Sequence, residues 1–143
     1  MTAVVTTQVD LTSGQPTEQR QSGGGALVVG IPSASSTCAP SNATTTAYAA
    51  SLVAKATPGV CIYVSGYNSK GSAQFIQIHD AAALPADAAV PKIVFTVPAT
   101  SNFTISFGEF GRYFSNGIVV CNSSTGPAKN IGSDDCWIDV QYA

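Results

Sequence analysis

Apolar and polar residues alternate in short runs along most of this chain, and Gly, Pro, Asn or Ser cuts each run. Period-two alternation places successive side chains on opposite faces of an extended strand. Phe103-Thr104-Ile105-Ser106-Phe107 is the clearest case, with its apolar residues on one face. Val60 to Tyr67 and Phe75 to His79 read as two further strands, and the turn-forming Asn68-Ser69-Lys70-Gly71 between them predicts a hairpin over 60–79. Lys92 to Val97 lies between Pro91 and Pro98, and Tyr113-Phe114, Gly117 to Cys121 and Cys136 to Tyr142 complete the clear set. Within these, Ile118 and Val120 share a face; Ile138, Val140 and Tyr142 are expected inward, opposite Trp137, Asp139 and Gln141. Tyr48 to Lys55 fits a strand or a turn or two of helix. Its alanines favour helix, the strands around it favour strand, and strand is preferred. Residues 33–46 read as loop by composition, and 81–89 as an alanine-rich connection.

Seven to eight short antiparallel strands, with no convincing long helix, predict an all-β fold, a β-sandwich or jelly roll. No strict repeat is visible, which argues against a propeller or β-helix. Residues 1–25 differ from the rest: they are rich in Thr, Gln, Ser and Gly and end in Gly23-Gly24-Gly25. Three glycines carry too much backbone entropy for the interior of an element and predict a hinge. The expected organisation is an extended N-terminal arm over 1–25 and a β-sandwich domain over 26–143, whose apolar run 26–31 stops at Pro32. Val4, Val5, Val9 and Leu11 give the arm hydrophobic anchors that a plain linker does not need, and they are the candidate partner-binding residues. Strands at Val4-Val5 and Val9-Asp10-Leu11 are expected only where another surface supplies their partner.

Composition narrows the function classes. The chain has 143 residues, enough for one domain with a real core. Only 10% of them are charged, so the surface must be built from hydroxyl, amide and alanine groups, which tolerate close packing against other protein. The six Lys and Arg are scattered singly; without a basic patch no nucleic-acid partner is expected. No apolar run approaches the ~20 residues of a membrane span, so no membrane partner is expected either. The opening MTAVVTTQVDLTSG has no basic start followed by an apolar core, so no secretory signal is expected. Cys38, Cys61, Cys121 and Cys136 form no C-x-x-C, and reduced, buried thiols are the favoured reading. A Cys121–Cys136 bridge remains open if those two strands are neighbours.

Candidate chemistry is sparse. His79 is the single histidine, followed directly by Asp80. On a strand the two point to opposite faces, so Asp80 cannot orient the imidazole as a triad requires. Ser65 and Cys61 on the neighbouring strand lack a G-x-S-x-G elbow. A strand-end histidine whose neighbouring aspartate caps a turn is expected. Asp134-Asp135 lacks the alternating oxygen ligands of a calcium loop and reads as a solvated turn before the last strand. Glu109 and Asp139 have no spacing that marks a glycosidase pair. The aromatic residues are assigned mainly to core packing, with a sugar-binding platform as the other use. The sequons at Asn42, Asn102 and Asn122 read as chance matches. No catalytic residue, cofactor or metal is assigned.

The stretch from Val60 to the C-terminus resembles a small protein that recurs in tailed-bacteriophage genomes. SGYNSK, FIQIHDA, PADAAVP, GRYFSNGIVVCNSST and the closing CWIDVQY carry the resemblance. It implies a non-enzymatic virion structural protein, made in the host cytoplasm and placed on the capsid surface. Within that class, the expectation is a decoration or cement protein. Its partner would be the major capsid protein or another virion protein, and it would form a homo-oligomer on the particle. The alternative is a tail- or fibre-associated β-sandwich module that binds host-surface glycans.

Overall fold

The computed structural model describes residues 7–9, 16–18 and 40–143. The chain divides into two units, Met1–Thr37 and Cys38–Ala143. In the first unit, β1 (Thr7–Val9) and β2 (Pro16–Glu18) pair antiparallel, Thr7 opposite Glu18 and Val9 opposite Pro16. The arm thus supplies its own strand partner, where the sequence pointed to a partner from elsewhere. Val4, Val5, Leu11, the 25/26 boundary and the apolar run 26–31 lie outside the described residues.

The second unit contains β3 (Ser41–Thr44), β4 (Ser51–Lys55), β5 (Gly59–Asn68), β6 (Gln74–Asp80), β7 (Ile93–Val97), β8 (Ser101–Ser106), β9 (Arg112–Phe114), β10 (Ile118–Ser123) and β11 (Cys136–Tyr142). They form two antiparallel sheets, one in the order β4-β10-β6-β7 and the other β3-β11-β5-β8, with the short β9 also on β5. Tyr48 to Lys55 resolves as strand, from Ser51 onward. In this unit one strand was not legible: β3 lies in the Ser/Thr/Asn-rich segment read as loop. It is formed because β11 offers its free edge, with Asp139 opposite Thr44 and Tyr142 opposite Ser41.

The pairing has a nested order. β3 pairs with β11, β4 with β10, β5 with β8 and β6 with β7, so the outermost strands in sequence meet each other and the innermost do the same. Apart from β9, this is one long hairpin rolled up into two sheets, the connectivity of a jelly roll. The predicted hairpin over 60–79 is accordingly corrected: β5 and β6 belong to opposite sheets. The connection between them is pulled across by polar anchors. Asn68 accepts from Lys70 N and Gln74 Nε2 and donates to the Ser72 and Pro98 carbonyls. Ser69 donates from both N and Oγ to the Asp135 carbonyl ahead of β11.

The inner faces meet in one core that contains Val64, Ile76, Ile78, Phe114, Ile118, Val120, Ile138 and Val140, all fully buried. Phe95 and Phe103 close it from the two sheets, with ring centroids 6.1 Å apart. Gly66 makes room there: a methyl at this position would run into the Phe103 ring and the Trp137 carbonyl. The inward assignment of Ile138 and Val140 agrees with the structure, and Trp137 and Gln141 are exposed on the other face. β10 is buried at all of its positions, not on one face alone.

Candidate functional site

That second buried face of β10 leads to the most elaborate polar structure of the described residues. Val119 and Cys121 point away from the core and are still fully buried. On the adjacent strand their cross-strand partners are His79 and Gln77. Two loops roof this surface, residues 81–92 and 124–131. Gln77 Nε2 donates to the carbonyls of Thr125 and Gly126 at 2.8 and 2.9 Å. The Lys129 ammonium, itself buried, binds the Asp87 carboxylate of the other loop. Asp87 also accepts from Ile131 N, while Ala88 N donates to the Lys129 carbonyl and Lys129 N to that of Ala89. Ala88 is held at a φ of 69° by these bonds, a left-handed conformation in which a side chain is strained.

His79 lies under this roof, 2% exposed. Because Gln77 uses its amide nitrogen on carbonyls, its Oε1 is left to accept, and His79 Nε2 at 3.2 Å is the donor. Burial, and then the nearby Lys129 charge, push the imidazole below its usual range. His79 is therefore a neutral packing group, with Gln77 setting its tautomer. A cleft of about 340 Å³ opens beside it, walled by Ala81, Pro85, Ala89, Val90 and Pro91 and bordered by Asp80 and Lys92.

Asp80 turns the other way, as alternation requires. Its carboxylate accepts from Ser115 N and Oγ, Asn116 N and Lys92 Nζ. Burial acts to raise its pKa, yet these four donors outweigh it and hold the carboxyl well below the usual carboxylate range. It caps a turn, as the sequence predicted, but the turn is the distant one between β9 and β10. Lys92 also donates to the Tyr113 carbonyl and lies 4.8 Å from the Phe114 ring centre, so it ties β7 to β9.

The remaining sequence candidates are dispersed. Ser65 and Cys61 lie in the sheet opposite His79 and assemble nothing with it. Asp134 accepts from Ala50 N, and Asp135 accepts from Gln74 Nε2 and forms an ion pair with Lys70 at 3.5 Å, so the pair fastens a turn. Cys61, Cys121 and Cys136 are free and buried. The open alternative of a Cys121–Cys136 bridge is thereby excluded: the two strands are in different sheets, and Cys136 Sγ faces the core beside Asn122 Nδ2. Burial raises the Cys61 thiol to about 12 and Cys121 to about 11. Asn122, one of the three sequons, is buried. Among the described residues no group of three His, Cys, Asp or Glu side chains is placed to hold a metal ion. No described helix is long and apolar enough to cross a membrane. Of the four candidate anchors, Val9 alone falls on a described strand.

Sequence reasoning missed Lys129 and Gln77. Nothing around Gly126-Pro127-Ala128-Lys129 distinguishes a buried cation from an exposed one. It placed Trp137 outward, as found, but assigned Phe110 and Tyr113 mainly to core packing although both are exposed, because periodicity names a face without saying whether anything covers it. No family model, curated protein or solved structure matches the chain.

Proposed function

We propose that this chain is a non-enzymatic structural protein of a tailed-bacteriophage virion, a capsid decoration or cement protein that binds the major-capsid-protein lattice and stabilises the shell. The observation that carries the reading is the nested strand order, since jelly rolls recur in viral shells. The use made of the ionic groups adds to it. Asp80, Asp87, Asp135, Lys70, Lys92 and Lys129 are engaged in internal ion pairs that tie one segment of the domain to another. A rigid shell with few free charges packs closely against protein, and many copies on a lattice turn weak contacts into avidity. The arm, with Val4, Val5, Val9 and Leu11, is the element proposed to reach a neighbouring subunit and add to its sheet edge.

Cryo-electron microscopy of the intact particle tests the reading. Density for the sandwich on the capsid surface, in many copies, is the expected result. Density at the tail or fibres would replace the cement role with that of a tail module, and absence from the particle would overturn the virion reading. Deleting residues 2–22 is expected to leave a folded domain that no longer occupies the shell. Occupancy at the parent level would show that the sandwich makes the contact.

A further inference from the structure

The two outer faces of the sandwich are built differently. Loops roof the β10 and β6 part of the outer face of the β4-β10-β6-β7 sheet and leave Val53 and Val94 at its flanks exposed, whereas the outer face of the β3-β11-β5-β8 sheet has Trp137, Gln141, Asn102 and Thr104 all exposed. Along β5 this open face carries a line of aromatic rings. Trp137 of β11 stands directly opposite Tyr67 of β5. Tyr63 follows four residues along the same face, and its hydroxyl bonds to Thr104 Oγ1 at 3.3 Å. A register shift between Gln141 and Tyr142 then turns Cys61 into the core and Val60 outward. Val60 pairs with Tyr113 of β9, which must point outward because its neighbour Phe114 is fully buried. The line from Tyr67 to Val60 covers about 23 Å at ~3.3 Å per residue.

We propose that this stripe binds an extended, uncharged polysaccharide. A pyranose ring has an apolar C–H face that stacks on an aromatic ring and a rim of hydroxyls that exchange hydrogen bonds with amide and hydroxyl side chains. The stripe offers both: Trp137, Tyr67, Tyr63 and Tyr113 as platforms, with Asn102 directly opposite Tyr67 and Ser65 directly opposite Thr104 as the polar groups beside them. Its length matches a chain better than a single sugar. Its charge matches a neutral polymer: Asp139 is the one charged side chain at the outward paired positions of β11, β5 and β8, and Asn42 Nδ2 holds its carboxylate at 2.8 Å. The proposal is independent of the shell-binding role, which assigns nothing to this face.

The full chain run by electrophoresis through gels containing hydroxyethylcellulose, glucomannan or dextran tests it, with alginate as the anionic polymer. Retardation by at least one neutral polymer is expected, unchanged at about 1 M salt, where the screening length falls to ~3 Å. Trp137→Ala and Tyr67→Ala should each weaken it at least tenfold without loss of β-sheet circular dichroism. Val94→Ser, on the outer face of the other sheet, should leave it intact. Absence of retardation in every neutral polymer, equal retardation of both aromatic variants and parent, or retardation by alginate alone that salt abolishes, would each overturn the proposal. So would a loss of particle occupancy in Trp137→Ala while the parent binds no polymer, since the face would then be a protein contact. Shell binding is scored separately on the particle, so either reading can fall without the other.

Discussion

Lys129 and Asp87, 42 positions apart in sequence, form an ion pair in which the cation is buried and the carboxylate is half exposed. The asymmetry decides what each substitution does. Asp87→Ala strands a buried ammonium without its counter-charge and is expected to be the more destabilising of the two changes. Lys129→Met keeps the buried stem, leaves a carboxylate that water can solvate, and should cost about 1.5 kcal/mol or less. Urea melts of the two variants check this. Equal losses, or a larger loss for Lys129→Met, would mean that the clasp is not what holds the loop down.

His79 sets a pH dependence of known sign. Its folded pKa is depressed below 6.5, so between those two values the unfolded chain binds more protons than the folded one. Stability should therefore fall as pH drops below about 6.5 and level off below the folded pKa. Asp80 acts in a different window, because a depressed carboxylate contributes above its unfolded pKa near ~3.9 and loses that contribution only in stronger acid. His79→Gln can still donate to Gln77 Oε1, so it should fold and flatten the profile between about pH 5 and 7. A variant whose melts keep the parent's slope in that range would show that another group titrates there.

The buried thiols should be inert. Cys61 and Cys121 are raised to about 12 and about 11 by burial, and Cys136 is raised as well. The thiolate is the reactive form, so a Cys38→Ser variant should resist a thiol reagent at neutral pH until urea unfolds it. It should then react at all three remaining positions. Rapid labelling of the native variant would contradict the burial of these strands.

Neighbouring residues on β11 should behave oppositely. Ile138 is fully buried, and Ile138→Ala should cost about 2–5 kcal/mol. Trp137, one residue earlier, faces outward against Tyr67, and losing that cross-strand pair should cost about 1 kcal/mol or less. Gly66→Ala, directly opposite Ile138 in the pairing, should be worse than ordinary overpacking of about 1–3 kcal/mol, because it meets backbone as well as a ring. Thermal melts that rank Trp137→Ala above Ile138→Ala would reverse the face assignment.

Periodicity by itself determined the strand class of nearly every element and the inward side of β8 and β11. Those are local properties: which way a side chain points depends on its place in a two-residue repeat. The candidate list was legible for the same reason, since His79 and Asp80 must diverge on any strand. What tertiary structure alone decided was partnership. Asn68 to Gly71 reads as a hairpin turn, yet β5 and β6 separate because Asn68, Ser69 and Gln74 find anchors on distant segments. β3 carries almost no apolar signal and exists because β11 has an unpaired edge to fill. Lys129 looks like any surface lysine and is buried because a loop brought from 42 residues away supplies its carboxylate. Whether a strand's outer face is roofed, as over Val119 and Cys121, or left open, as around Trp137, likewise depends on where long-range loops come to rest, and no window of neighbouring residues contains that information.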